Sequence, residues 1–469
     1  MSDSSSSITL DITTGDVATE IFVINSSFQL VTRGIGRLQT SVKPGIYSVK
    51  FQSGSTVQEE HILARPSDDH IELKKEPLEI TSPIPVPNTR QSREYHQYAL
   101  AQQVSQTHAQ IGSGSSLFVF VRDWIPDDQR VASPEAQHPA RGLSLRDQQG
   151  NELVDFSAVG TSDLTIDEPW AACGVELNPG AYILSLELSN GSRLEQAVIT
   201  SAGWQTQIYM LQRLYDEGAE SKRANLPNAS ILIARQQSAD IDSEMSRLVE
   251  KAKSALLNRR HILSNELREM LREKFESPML GIYGAHLLLM EDELNRDLFS
   301  TVIENLRGLL GTHPDVEALA LYLDPTGSRD TFEMPPMLSR SWRHVLQASL
   351  ENGDVVSADA FSTKVAEHVW GSQLWLQWMN DATLSLSDYE QSADSQFIAE
   401  QKAALSQASI ERQMQPLALP SRGIGSDREL AVDPYEQTVR ELTLSLGLPR
   451  AAVEKKLSSQ ELVEEAVAG

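Results

Sequence analysis

Cysteine is nearly absent: Cys173 is the single one in 469 residues. No internal disulfide can form, and a lone thiol fits a reducing compartment. Long apolar runs are missing as well. None approaches the roughly 20 residues that a membrane-spanning helix requires. The stretch Met1-Ser2-Asp3-Ser4-Ser5-Ser6-Ser7 has neither a basic n-region nor an apolar h-region. No secretory signal is therefore expected, and a cytoplasmic location is. Basic residues are outnumbered, 40 against 65 acidic ones, for a formal net charge of −25. Such a field repels nucleic-acid phosphates and anionic lipid heads unless basic residues are concentrated in a patch. The densest group, Lys251, Lys253, Arg259 and Arg260, follows Glu250 and is followed by further acids, the pattern of a solvated helix face. Neither nucleic acid nor membrane is expected as a partner.

Catalytic signatures are missing too. The sequence holds no His-Glu-x-x-His, Cys-x-x-Cys, Gly-x-Ser-x-Gly, P-loop or Gly-x-Gly-x-x-Gly motif. Gly112-Ser113-Gly114-Ser115 leads into a strand, so no helix N-terminus follows it to hold a phosphate. Glu291-Asp292-Glu293 lacks the alternating spacing of a calcium loop. His286 lies in an apolar helical stretch, but Leu289 and Met290 occupy the positions where a second metal ligand would stand. It reads as a core histidine. Trp170-Ala171-Ala172-Cys173-Gly174 resembles the Ala-Cys-x-Gly nucleophile region of caspases. Strand alternation instead places Cys173, Val175 and Leu177 on one inward face, where a cysteine acts as a small hydrophobe. No catalytic residue, metal or cofactor is expected.

What the chain does contain is an internal repeat. Pro44-Gly45-Ile46-Tyr47 is followed by Gly54-Ser55, Ile62, Ile71 and Leu73; Pro179-Gly180-Ala181-Tyr182 is followed by Gly191-Ser192, Ile199, Ile208 and Met210. The offsets after each Gly-Ser are identical, which predicts Tyr47 matching Tyr182, Ile62 matching Ile199 and Ile71 matching Ile208. Pro-Gly makes a turn, because proline presets φ and glycine accepts a positive one. Tyr47-x-Val49-x-Phe51 and Tyr182-x-Leu184-x-Leu186 then alternate, the period of a strand with one buried face. Ser53-Gly54 and Asn190-Gly191 are hairpin dipeptides. This order of turn, strand, glycine turn and closing strands resembles the carboxypeptidase regulatory-like and PEGA-like β-sandwich modules. The resemblance implies non-catalytic spacers or binding platforms.

The second half is periodic at three and four. Ile241, Met245, Leu248, Val249, Ala252 and Leu256 form one stripe, and Leu298, Val302, Ile303, Leu306, Leu309 and Leu310 another, closed by Gly311. Ser277-Pro278 and His313-Pro314 mark helix starts. Leu280-Gly281-Ile282-Tyr283 with Ala285-His286 resembles a tetratricopeptide unit, one residue short between glycine and tyrosine and without a second copy. The same segment resembles a helical region of uncharacterised bacterial proteins. Four of the seven tryptophans, Trp342, Trp370, Trp375 and Trp378, lie close together in sequence. On a helix Trp375 and Trp378 would share a face with Gly371. They serve either as the core of a bundle or as a partner-binding surface, since tryptophan is enriched at interface hot spots.

These readings combine into a multidomain α+β protein. Two antiparallel β-sandwich modules at 8–76 and 115–215 flank a Pro/Gln-rich linker at 77–114. An all-α helical domain follows at 230–380, then a flexible Ser/Gln-rich segment at 381–436 with one helix, then short C-terminal helices at 437–469. The function expected is non-enzymatic protein–protein interaction, as a scaffold or adaptor that binds another protein through its helical domain. A second reading is a regulated effector or protease substrate of a bacterial defence or stress system, cut in the flexible segment. A third is an enzyme of unrecognised type.

Overall fold

The computed structural model describes residues 7–54, 56–87, 89, 92–124, 137–215, 222–236, 243–273, 275–325, 332–369, 374–380 and 434–458. The architecture is mixed α+β. Seven strands come first: β1 (Ile8–Thr14), β2 (Glu20–Asn25), β3 (Leu30–Ile35), β4 (Arg37–Val42), β5 (Gly45–Ser53), β6 (Thr56–Ala64) and β7 (His70–Lys75). They pair in the order β6-β5-β2-β3-β4-β1-β7. Between β3 and β4 the only pair is Ile35 with Arg37, across Gly36 at φ +70°, so the path folds over at that point. The inward positions of both groups, Ile8, Leu10, Ile12, Ile21, Val23, Val49 and Phe51, form one cluster.

After helix α1 (Glu94–Gln103) and the short strand β8 (Ala109–Gln110) the pattern recurs. The strands are β9 (Ser115–Arg122), β10 (Leu143–Arg146), β11 (Glu152–Asp155), β12 (Thr161–Asp163), β13 (Trp170–Leu177), β14 (Gly180–Glu187), β15 (Arg193–Thr200) and β16 (Trp204–Leu214). β1 lies antiparallel to β4 and parallel to β7, just as β9 lies antiparallel to β13 and parallel to β16. The β3-β2-β5-β6 pairings likewise recur as β11-β10-β14-β15. The Pro-Gly-x-Tyr motif also does the same thing twice. The Tyr47 hydroxyl donates to the Lys43 carbonyl at 2.8 Å, and the Tyr182 hydroxyl to the Asn178 carbonyl at 2.9 Å.

The register beyond the hairpins differs from the one expected. Tyr47 pairs with Ile62, whereas Tyr182 pairs with Val198 rather than Ile199. The first hairpin closes on Ser53 and Thr56; the second closes with Leu188 donating to the Ser192 carbonyl, one residue further apart. The connection that follows is one residue shorter in the second copy, nine positions from Ile62 to Ile71 against eight from Val198 to Thr206. Thr40 and Val175 stand at equal distances before their Pro-Gly turns. Their neighbours are Leu10 and Leu117, and across those lie Ile71 and Thr206. Leu73, not Ile71, is therefore the counterpart of Ile208.

The helices are α2 (Ser243–Asn258), α3 (Asn265–Arg272), α4 (Pro278–Leu288), α5 (Arg296–Leu310), α6 (Pro314–Leu323), α7 (Ser339–Glu351) and α8 (Phe361–Ala366). Two more follow at Pro434–Leu446 and 450–458. Proline opens α4 and α6, and Gly311 ends α5 at φ +66°. The segment 230–380 is not all-helical, however. It begins with β18 (Ser230–Arg235), which follows β17 (Lys222–Ala224) and pairs with β16. It ends with β19 (Gln377–Asn380), which pairs with β15. One continuous cluster runs from Ile84 through β9 and β16 to α2–α6 and Trp375. The second set of strands and the helices thus share a core.

The proline-rich segment is likewise no free linker. Leu78, Ile80, Ile84 and Val86 are buried. The buried Arg122 guanidinium donates to the carbonyls of Ser82 and Pro83 at 3.0 and 3.1 Å. Alternate apolar residues in an extended chain can be packed like a strand without belonging to a sheet. The first strand set is also tied to α2. Lys251 meets Asp16 at 2.6 Å, and Arg260 meets Glu20 at 2.9 Å.

Candidate interaction surface

The tryptophan group was the leading candidate in the sequence, and the structure distributes it through the interior. Trp342, Trp375 and Trp378 are 3%, 1% and 2% exposed. Trp370 lies outside the described residues, as does 381–433, which holds most of the flexible segment read as a cleavage site. Trp375 and Trp378 do not share a helix face. Trp378 sits on β19, and Trp375 forms an isolated bridge with Leu338. Trp375 joins the large core and donates its indole N–H to the Ala229 carbonyl at 2.9 Å. Trp378 packs with Ile183, Ala197, Met334 and Val365 in a separate cluster.

The chemically suggestive residues are also enclosed. Cys173 pairs with Val119 on β9 and is 2% exposed; burial pushes its thiol up to about 12, away from a reactive thiolate. His286 shares a 3.1 Å hydrogen bond with the Ser341 hydroxyl and stacks on His344. All three are buried, and burial holds His286 well below the ordinary histidine range. A hydroxyl beside a neutral imidazole pairs a nucleophile with a base, and here both are buried. Among the described residues no group of three or more His, Cys, Asp or Glu is placed to hold a metal.

A cleft of about 760 Å³ opens between the first strand set and the α2–α3 junction. Arg33, Arg37, Arg259, Arg260 and His261 line it with Glu20 and Glu266. Arg260 is paired with Glu20, and Arg37 with Asp11 at 3.0 Å. Arg259 lies at the end of α2 with φ +51°. The lining has cations and carboxylates in a mixed ring, without a nucleophile and base in contact.

Exposed apolar residues collect elsewhere. Phe28, Leu30, Val31, Ile46, Val57 and Leu63, all in the first strand set, are half of the large hydrophobic side chains exposed among the described residues. Isolated exposed residues need no explanation, but a contiguous group marks an interaction surface. Ile46, Leu63 and Leu30 lie on one face, and Val57 stands at the far end of β6 on that face, beyond His61 and Glu59. Ile46 and Leu63 are direct cross-strand partners, and Ile24 stands between Ser48 and Leu30 in the next row. Phe28 tips the β2–β3 turn at 92% exposure and φ +58°. Asn25 holds it there, its side chain accepting from the amides of Ser27 and Gln29 at 3.0 Å. A left-handed phenylalanine costs on the order of 1 kcal/mol, and such strain concentrates at functional sites.

The repeat shows what this surface lacks. In the first set the pair Ser48–His61 faces outward, half-buried and exposed. Its counterpart Ile183–Ala197 is buried beneath Met334, Val365 and Trp378. The free edge of β15 is paired with β19, and the Trp378 indole donates to Glu195 at 2.9 Å. Glu195 lies opposite Ser185 as Glu59 lies opposite Lys50, so Glu59 is its counterpart. β6 itself ends its sheet with no strand beyond it among the described residues.

Sequence reasoning missed this surface because it reads each strand alone. The usable signal was the inequality of the repeats. Ile183 and Ala197 put apolar residues on the outward face of the second copy, so that face needed a cover.

No helix among the described residues is long and apolar enough to cross a membrane. No family model matches the chain, and no curated protein does. Among solved structures it has a likeness to the Bacillus anthracis TIE protein, at 16% identity over 42% of this chain and 29% of that one. The TM-score of 0.15 is too low for an argument about fold or function.

Proposed function

We propose that this chain is a non-enzymatic protein–protein interaction protein, a scaffold whose first strand set is its binding module. Both strand sets are read as antiparallel β-sandwiches of the carboxypeptidase regulatory-like or PEGA-like kind. The second shares its core with the helices, and the first has a core of its own. One observation carries the reading: the sheet face and edge that the second copy covers with β19, Met334 and Val365 stand open in the first among the described residues. An open edge supplies unpaired backbone groups, and alternate side chains beside it supply selectivity, which is the physics of β-strand addition. This moves the expected partner contact from the tryptophans of the helical half to β5 and β6.

The test compares full-length wild type with Ile46→Lys and Leu63→Lys as baits in the native host. Both side chains are more than half exposed, so the variants should unfold at the wild-type denaturant midpoint. Proteins retained by wild type and lost from both variants support the reading. Retention equal in all three baits refutes it.

A further inference from the structure

We propose that the occupant of the β6 edge is a second copy of this chain, its own β6 paired antiparallel across a two-fold axis at Glu60. The proposal rests on the reading of this edge as the interaction site. The backbone sets which residues can pair. In an antiparallel ladder, successive residues direct their N–H and C=O groups to opposite neighbours. A two-residue connection closes on a hydrogen-bonded pair, here Ser53 with Thr56. Thr56, Gln58, Glu60, Ile62 and Ala64 therefore bond to β5. Val57, Glu59, His61 and Leu63 turn their backbone groups to the free edge. The same alternation carries across the sheet: Asn25 on β2, an odd position like Tyr47 opposite it, bonds to Gln29 on the β3 side.

A two-fold axis must then pair odd positions with odd ones, and the side chains choose among the registers. Centred on Glu60, Val57 meets Leu63 of the other copy, and Glu59 meets His61. Val57 and Leu63 are 46% and 53% exposed, so an apolar contact is gained at each end. Ile46, beside Leu63, extends that apolar row inward. The carboxylate of Glu59 receives an imidazole N–H. The register centred on Glu59 sets that carboxylate against itself. The register centred on His61 sets Leu63 against Glu59. Like charges directly opposite, or an apolar residue against a charge, weaken a ladder. Glu60 does face its own copy in the favoured register, but each Glu60 is held by Lys75 at 2.5 Å. The result joins the β3-β2-β5-β6 strands of two copies into one sheet and closes both edges.

Sedimentation equilibrium of the full chain tests this directly. The mass should rise with concentration from 51.9 kDa toward twice that value. His61→Glu opposes two carboxylates at each end of the pairing and should weaken dimerisation at least tenfold. The exchange Glu59→His with His61→Glu restores complementary pairs and should restore the dimer. Glu60→Cys places two thiols across the axis at about 4.5 Å between Cα atoms, within the range a disulfide accepts. It should cross-link on mild oxidation, while Cys173, being buried, stays silent. A chain that remains at 51.9 kDa throughout, or a dimer indifferent to His61→Glu, overturns the proposal. A labelled peptide with the sequence of residues 374–380, which includes β19, separates the two levels. If the chain is monomeric yet binds this peptide, and Leu63→Lys abolishes binding, the edge is an interaction site and the second copy is the wrong occupant. If neither self-association nor peptide binding occurs, both readings fall.

Discussion

The two strand sets share their main pairings and their tyrosine bond, yet among the described residues one is covered and the other is not. β14 and β15 are buried on both faces, while β5 and β6 keep the alternation of a half-solvated sheet. The difference lies in a few outward positions. Ile183 and Ala197 demand a cover, which Trp378, Met334 and Val365 provide. Ser48 and His61 demand none, but Ile46, Leu63 and Leu30 around them leave an apolar frame. A duplicated fold can therefore be used once as a structural base and once as a presented surface.

The largest effect should come from removing the cover. Trp378→Ala should cost about 3–5 kcal/mol in urea unfolding, because it opens a cavity and takes the indole donor from Glu195, which keeps Ser185 and Arg193. Leu63→Ala, on the corresponding edge strand of the first set, should cost no more than about 0.5 kcal/mol. Equal costs would erase the distinction between the two copies.

Next comes the attachment of the first set to α2. Lys251→Ala leaves Asp16 without its cation and should cost about 3 kcal/mol. Burial raises the Asp16 carboxyl, but Lys251 together with the Thr19 and Ala18 bonds outweighs it and holds it below the ordinary value. A lowered folded value stabilises the protein above the unfolded value, and that contribution is lost as pH falls through the folded one. Wild type should therefore lose stability in acid more steeply than Lys251→Ala does. Parallel slopes in a pH series of denaturant midpoints would contradict this assignment.

The shared tyrosine bond offers a finer comparison. Tyr47→Phe and Tyr182→Phe should each cost about 1 kcal/mol, the net worth of one hydrogen bond. Calorimetry showing a loss at one site alone would mean that the motif is not used equivalently. Cys173→Ala should also cost about 1 kcal/mol through lost packing, and thiol reagents should label native wild type only slowly. The smallest change is at the surface. Phe28→Asn should stabilise by about 0.5 kcal/mol, since asparagine tolerates the left-handed conformation that phenylalanine resists. A destabilised variant would show that the Phe28 ring is held by contacts after all.

Much of the path was legible in local pattern. Proline and a small polar residue announced α4, and Gly311 marked the end of α5. Alternation located β5 and β14. The repeat was found from Pro-Gly-x-Tyr, though its register slipped because a turn one residue longer and a following connection one residue shorter are invisible in a count of offsets. β18 and β19 were missed. Ser230 to Arg235 is a short apolar run that fits a buried strand or a helix equally well. Trp375 and Trp378 are three apart, which suggested a helical face. Trp378 is instead held in a strand by the pairing of β19 with Arg193 to Gln196 of β15, far back in the chain, and Trp375 bridges Leu338. Dividing the chain between 215 and 230 would therefore leave β16 without β18 and β15 without β19.

What the sequence determined by itself was the local alternative wherever the pattern was long enough to choose: which residues turn, which alternate, which recur at three and four, and that Cys173 points inward. Those choices depend on backbone sterics and on the spacing of apolar side chains, both readable within a short window. What only the tertiary structure decided was who covers whom. An apolar outward face specifies that it must meet something, but not which segment will reach it. That outcome depends on a strand arriving from far along the chain, at β15 but, among the described residues, not at β6.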